Sequence, residues 1–350
     1  MKLTHKPRIP VPPPPKKPIL LMNLGVGWSA TTPFLYTLSI DQRYCHPGHV
    51  KENHYLRMIF EQDCLNSTEI RDFILSTSVN PKQWIFRLWQ KELYEYNYHF
   101  MDNQDYLTEW YSDVTIKKYI DYYLKHWEVI KTDFHAVADF SNHNWSLPYW
   151  ENGKEMIDKI MEVFDLKVTV QFRDPIRRLY SELGTCFIDE QTPYMPVEAA
   201  DNKISIGQEF LKNNQHNEFF KISLDDAAWG GANCQYVDLY TKWEKLVGEN
   251  NILSIIMEEF WNPQYRKQQC ERLSNFLGAP IQKIHQNAYF PDMGADAPHY
   301  EGLIDQWTSD KETISDETIR YAMNYFRPCY NQWKVRFGTL PEAWNKRNKL

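Results

Sequence analysis

The strongest limit on the fold comes from one stretch, PILLMNLGVGWSATTPFLYTLS, which runs from Pro18 to Ser39. It begins with a continuous apolar run, passes through a turn of small residues and ends in a second apolar run. Ile19 to Asn23 is typical of a buried parallel strand, and the apolar residues from Thr32 to Ile40 recur at helical spacing. We therefore expect a central strand, a tight loop and a helix in direct succession.

Other segments extend this pattern along the chain. Further segments predict strands at Phe134 to Phe140, Lys167 to Phe172 (KVTVQF) and Asn251 to Met257 (NILSIIM). Helical patterns lie at 151–164 and 235–247, and the aromatic region 56–130 is also helical in pattern. Strands that alternate with helices favour a mainly parallel sheet with helices on both faces, and ligands of such folds bind at the carboxyl ends of the strands.

Composition narrows the class of protein. The 350 residues are 43% hydrophobic and 15% aromatic, which indicates a globular chain, and the net charge of -7 argues against an extended basic face for nucleic acid. Apolar runs stay below the ~18 residues of a membrane span. The six cysteines lack CxxC or zinc-type spacing. We expect a soluble cytoplasmic protein without nucleic-acid or membrane partners, whose oligomeric state the sequence leaves open.

The two ends of the chain are predicted as tails around one domain. Residues 1–18 contain KPRIPVPPPPKKP, which cannot form a helix or a central strand. A partner with an aromatic groove could bind this segment, or it could be a plain flexible tail. The domain itself is predicted to span 19–340, with a short C-terminal tail over 341–350.

The small-residue turn has the chemistry of an anion site. Gly25 and Gly27 permit close approach of backbone N–H groups to an anion, while Thr31 and Thr32 add hydroxyl donors at the start of a helix. This combination suits phosphate or sulfate. A triphosphatase loop reads GxxxxGK[ST], but here Ala30 and Thr31 occupy the second glycine and lysine positions, so ATP hydrolysis is disfavoured.

A second motif, VQFRDPIRRLYS, covers residues 170–181. Asp174 is a good N-cap and Pro175 a good first helical residue, so Arg173 is predicted to stand at the end of a strand. Arg173 and Ser181 could together bind a second phosphate. The alternative is an ordinary capped helix with solvated arginines.

Together these segments resemble the sulfotransferases that use 3′-phosphoadenosine 5′-phosphosulfate (PAPS), in their heparan-type and bacterial branch. Their first motif, close to GxxKxGTT, is similar to GVGWSATT, and their second, R[ND]PxxRxxS, is matched at every fixed position from Arg173 to Ser181. The segments HPGHVKENHYL and ADFSNHNW resemble further family motifs, the latter near the acceptor. YVDLYTKWEKLVGENNILSIIMEEF and LSNFLGAP then follow in the family's order.

The resemblance implies a P-loop NTPase-like three-layer fold and transfer of a sulfuryl group from PAPS to a hydroxyl, or less readily an amine, without metal. Arg173 and Ser181 would bind the 3′-phosphate of the nucleotide, whose product form is PAP. Glu52 falls where heparan-type enzymes keep the carboxylate that deprotonates the acceptor, although a solvated glutamate is the alternative. The 5′-phosphosulfate would be held by the opening loop: Gly25, Val26, Gly27, Trp28, Ser29, Ala30, Thr31 and Thr32.

The chain also departs from the family pattern. Trp28 stands where the family has a lysine that neutralises charge on the bridging oxygen, and Ala30 replaces a glycine. Lys51 or His54, beside Glu52, could supply the missing cation. Two other functions stay open: a pseudoenzyme that binds the nucleotide without catalysis, and a small-molecule kinase. The acceptor, a small molecule or a saccharide, cannot be identified from the sequence.

Overall fold

The computed structural model describes residues 17–25, 44–45, 114–131, 135–183, 215–225, 235–279, 281 and 315–348, together with positions 34, 38, 55, 56 and 59. Five strands form one sheet in which every pairing is parallel, in the order β2-β3-β1-β4-β5. The strands are β1 (Ile19–Gly25), β2 (Tyr44–Cys45), β3 (Ala136–Asp139), β4 (Asp165–Phe172) and β5 (Ile252–Ile256). The strand that precedes the glycine loop is therefore the central one.

Helices connect and cover these strands. They are α1 (Ile116–Ile130), α2 (Gly153–Val163), α3 (Pro175–Leu183), α4 (His216–Asp225), α5 (Tyr236–Val247), α6 (Met257–Trp261), α7 (Arg266–Leu277), α8 (Asp316–Tyr325), α9 (Arg327–Phe337) and α10 (Glu342–Asn348). Short 3₁₀ segments lie at Asn142–Tyr149 and Glu249–Asn251. Among the described helices, none combines the length and apolar character that crossing a bilayer requires.

Alternation along β1 divides the core into two clusters. Leu20, Met22 and Leu24 pack into a first core with residues of α1, α2, α5 and α9, whereas Ile19 and Leu21 pack into a second core with residues of α7. Since each buried aliphatic side chain contributes about 1.5–3 kcal/mol, both faces of this strand stabilise the fold. The strand order and the two cores confirm the predicted three-layer arrangement of a mainly parallel sheet with helices on both faces.

The second core also holds the start of the helical segment that follows the glycine loop. Phe34 and Leu38 are fully buried there. The Phe34 ring lies 6.1 Å from the Phe140 ring and 5.2 Å from the Phe260 ring, measured between centroids. Phe140 directly follows β3 and Phe260 lies in α6, which follows β5, so Phe34 sits at the carboxyl edge of the sheet.

The structure differs from the sequence prediction at two places. The two-residue strand β2 was not predicted, because so short a pairing has no hydrophobic period to detect. The stretch predicted as a tail over 341–350 contains α10, and its Trp344 is fully buried with its ring 4.9 Å from that of Trp333. The proline-rich segment 1–16 lies outside the described residues, and the bounds of the domain stay a prediction.

Candidate functional site

The two sequence motifs leave the sheet from neighbouring strands and at the same edge. In the register of β1 and β4, Gly25, the last residue of β1, pairs with Gln171 of β4. Arg173 follows Gln171 by two residues, so it lies just beyond the level at which β1 ends. Adjacent parallel strands are roughly 4.8 Å apart. The start of the glycine loop and the arginine of the second motif are therefore close neighbours at the carboxyl edge, where ligands of this fold class bind.

Most of the predicted loop and base residues lie beyond the part of the chain that the structure describes. Gly25 closes β1, and the backbone of Ser181 belongs to α3. The predicted residues outside the described ranges are Val26, Gly27, Trp28, Ser29, Ala30, Thr31, Thr32, Lys51, Glu52 and His54, together with the side chain of Ser181. Gly25 and Phe34, the described residues on either side of the loop sequence, both lie at the carboxyl edge of the sheet.

Tyr55, three residues after the predicted base Glu52 in the sequence, contacts α1 and the residue before it. Its side chain is fully buried and its ring lies 6.0 Å from that of Tyr119, which belongs to α1. The Tyr55 hydroxyl accepts a hydrogen bond of 3.2 Å from the backbone N–H of Thr115.

A buried carboxylate at the end of β3 connects this region to the sheet. Asp139 accepts hydrogen bonds from the Tyr119 hydroxyl at 2.6 Å, the Ser141 backbone N–H at 2.9 Å and the Asn144 amide at 3.0 Å. Burial, and then the charge of Asp139, raise the pKa of Tyr119 well above its ordinary value, so the phenol stays a donor. With three donors around it, Asp139 fixes the ADFSNHNW segment against α1.

The second motif folds as its residue types predict. Asp174 accepts a 2.9 Å hydrogen bond from the backbone N–H of Ile176 at the start of α3, which confirms the predicted helix cap. Pro175 is the first helical residue. Arg178 is fully buried and Arg173 is half-buried, so the alternative of a helix with freely solvated arginines is wrong for Arg178.

Two side chains from distant elements bind the peptide group between Arg173 and Asp174, and a third holds one of these two. The Tyr236 hydroxyl donates to the Arg173 carbonyl oxygen at 2.9 Å, and the Asp174 N–H donates to Glu258 Oε1 at 3.0 Å. The indole N–H of Trp344 donates to Glu258 Oε2 at 3.0 Å. Burial, and then the charge of Asp174, raise the pKa of Glu258. Sequence analysis missed these partners, because each is far from the motif along the chain.

A polar strip lies under the same edge, on the face of the second core. Asn23, Thr169 and Gln171 are fully buried, and the Thr169 hydroxyl donates to Asn23 Oδ1 at 2.8 Å. Within the described part of the chain, neither polar atom of the Gln171 amide has a hydrogen-bond partner. Since buried polar side chains are usually hydrogen-bonded, the Gln171 amide has donor and acceptor capacity available next to Gly25.

Comparison with known proteins gives weak structural likenesses only. The chain matches no protein-family model, and no curated protein matches it. It is similar to a sulfotransferase from Alicyclobacillus acidocaldarius, with 14% identity, 64% of this chain and 73% of that chain covered, and a TM-score of 0.35. It is also similar to the sulfotransferase domain of the Synechococcus PCC 7002 olefin synthase (14% identity, 87% and 92% covered, TM-score 0.41) and to sulfotransferase STF9 from Mycobacterium avium (13% identity, 95% and 79% covered, TM-score 0.37). At TM-scores below 0.5 these likenesses decide neither fold nor activity.

Proposed function

We propose that the protein is a cytoplasmic sulfotransferase, which moves a sulfuryl group from PAPS to a hydroxyl of a small molecule or saccharide. One observation carries the proposal: the glycine loop and Arg173 start from the paired ends of β1 and β4. A nucleotide with phosphates at both its 5′ and 3′ positions needs two anion sites close together. The motif that resembles each site begins at one of these two strand ends.

Arg173 supports the 3′-phosphate assignment by its surroundings. Its side chain is half-buried, and the next residue caps α3. A guanidinium binds a phosphate through two parallel hydrogen bonds, and partial burial strengthens that contact. Ser181, two turns further along α3, would add a hydroxyl donor, while the backbone N–H groups of the loop would bind the 5′-phosphosulfate.

The proposed reaction is a direct displacement at sulfur. The acceptor oxygen forms a bond to sulfur, the bond from sulfur to the 5′-phosphate oxygen breaks, and PAP leaves with the electron pair. Glu52 takes the proton of the acceptor hydroxyl, and Lys51 or His54 offsets charge on the leaving oxygen. Asp139 is a poor alternative base, because it is fully buried and already accepts three hydrogen bonds.

Ligand-induced stabilisation tests the donor site. A nucleotide that binds only the folded state raises the unfolding temperature, so PAP should stabilise the protein more than AMP or ATP at equal concentration. Stronger stabilisation by ATP than by PAP would favour a kinase instead. A screen of sugars, phenols and alcohols with radiolabelled PAPS then tests transfer.

The binding-only function is favoured by one sequence observation, the tryptophan in place of the loop lysine. A pseudoenzyme would bind PAP in the thermal assay and give no labelled product with any acceptor. Restoring the cation with Trp28→Lys would separate the two functions, since a gain of activity in the variant alone shows that the wild type only binds.

A further inference from the structure

We infer that Tyr236 and Glu258 are positioning residues for recognition of the nucleotide's 3′-phosphate, acting through the backbone of Arg173. The inference rests on the proposed function, because it concerns the phosphate that Arg173 is proposed to bind. Neither side chain needs to touch the ligand. Their role is to fix the direction in which the Arg173 side chain leaves the end of β4.

The geometry is that of one peptide group held from both sides. The carbonyl of Arg173 and the N–H of Asp174 belong to the same peptide plane. Tyr236 donates to that carbonyl oxygen at 2.9 Å, and Glu258 accepts from that N–H at 3.0 Å. With both polar ends bound, rotation of the plane would break a hydrogen bond in either direction.

This peptide needs such partners because it lies between two regular elements. The strand β4 ends at Phe172 and the helix α3 begins at Pro175, so the peptide lies outside both regular elements. Buried backbone groups are otherwise satisfied by side chains or water. Tyr236 and Glu258 take that place, and they come from α5 and α6.

Each anchor is itself held in position. The Tyr236 ring is fully buried with its centroid 5.1 Å from that of the Phe172 ring. Glu258 receives the Trp344 indole N–H on its second oxygen at 3.0 Å. Because Tyr236 and Glu258 are themselves packed or hydrogen-bonded, they hold the peptide in one orientation.

The chain provides a matched control for Tyr236. Tyr240 lies one turn later on α5, is also buried, and packs against the same Phe172 ring with centroids 6.3 Å apart. Its hydroxyl makes no hydrogen bond to any residue in the described ranges. Tyr236→Phe and Tyr240→Phe therefore remove the same atom from the same helix, but only the first releases the Arg173 carbonyl.

The experiment measures the preference for a 3′-phosphate by calorimetry on the full chain. Dissociation constants for PAP and for AMP are determined for wild type and each variant, and the Kd for AMP divided by the Kd for PAP reports the contribution of the 3′-phosphate alone. Loss of one hydrogen bond of ordinary strength predicts a fall in this ratio of roughly 3- to 10-fold for Tyr236→Phe. Tyr240→Phe should leave the ratio unchanged.

Glu258→Gln provides the second variant. Asp174 and Trp344 donate to different oxygens of Glu258, and in glutamine one of these two acceptors becomes an NH₂ donor, so one of the two hydrogen bonds is lost. We expect a fall in the ratio of similar size, with AMP affinity preserved.

The outcomes separate the two levels of the proposal. If wild type prefers PAP and Tyr236→Phe keeps that preference, or if Tyr240→Phe loses as much, the positioning role is wrong while the proposed donor site stands. If wild type binds PAP no better than AMP, the 3′-phosphate site itself is wrong and the positioning role is overturned with it.

Discussion

Replacing Trp344 by phenylalanine should destabilise the fold more than the same change at Trp333. Both tryptophans are buried in the first core and their rings are in contact, with centroids 4.9 Å apart. Trp344 donates its indole N–H to Glu258, whereas Trp333 donates no hydrogen bond to the described residues. Each change removes a similar apolar volume, so the difference between them isolates the hydrogen bond.

The expected difference in the free energy of unfolding depends on the charge of Glu258. A hydrogen bond to a charged group contributes ~1.5–3 kcal/mol, so we expect Trp344→Phe to lower the free energy of unfolding by about that much more than Trp333→Phe. The Trp344 hydrogen bond also lowers the pKa of Glu258 against the stronger effects of burial and Asp174. Removing it should raise this pKa further.

The sign of the pH dependence can be worked out. Because its folded pKa is above the unfolded value, Glu258 favours the folded state below the ordinary glutamate pKa, and this contribution is lost as the pH rises through the folded pKa. Suppose that Trp344→Phe makes the proton affinity of Glu258 in the folded state ten times higher. The folding free energy lost as the pH rises then grows by ~1.36 kcal/mol. The difference between the two variants should therefore be small in acid and larger at neutral pH.

Equilibrium urea unfolding, followed by circular dichroism at several pH values from acid to neutral, measures this difference. Equal free energies of unfolding for Trp344→Phe and Trp333→Phe across the series would refute the role given to the Trp344 hydrogen bond. A difference that does not change with pH would show that Glu258 keeps one protonation state throughout.

Three further predictions concern the proposed activity. Arg173→Ala should weaken PAP binding by ~1.5–3 kcal/mol in calorimetry and leave AMP binding nearly unchanged; equal losses would remove Arg173 from the 3′-phosphate site. Glu52→Gln should lower turnover at least ~10²-fold while PAP affinity and melting temperature stay close to wild type, and near-native turnover would exclude Glu52 as the base. Trp28→Ala should retain PAP binding, since loop binding depends on backbone N–H groups, whereas Lys51→Ala or His54→Ala should lose turnover with little loss of binding. If both Lys51→Ala and His54→Ala keep their turnover, neither residue substitutes for the loop lysine that Trp28 replaces.

The parts of the fold that the sequence predicted are those encoded by neighbouring residues. The strand β1 is a nearly continuous apolar run because both faces of a central parallel strand are buried, and β4 was recognised from β-branched and apolar residues alternating with polar ones. The cap at Asp174 was predictable because an aspartate before a proline suits the first turn of a helix. Local patterns of this kind need no knowledge of the rest of the chain.

The surroundings of the candidate site could not be predicted in the same way. Tyr236 lies 63 residues from Arg173, and Glu258 lies 84 residues from Asp174, so no local spacing marks either contact. Gln171 was placed in a strand by its apolar neighbours, but periodicity does not tell whether a polar residue there is buried without a partner. Long-range contacts and buried polar groups become visible only when the sheet and its helices are assembled.

The anchoring of the Arg173–Asp174 peptide has a consequence for how the protein is made. Tyr330 donates to Asp174 Oδ1 from 156 residues further along the chain, and Trp344 reaches Glu258 across 86 residues. At a synthesis rate of ~5–20 residues per second, roughly 10–30 s separate the appearance of Asp174 from that of Tyr330. On the ribosome, the hydrogen bonds from Tyr330 of α9 and Trp344 of α10 that hold the end of β4 can therefore form only after those late segments have been synthesised.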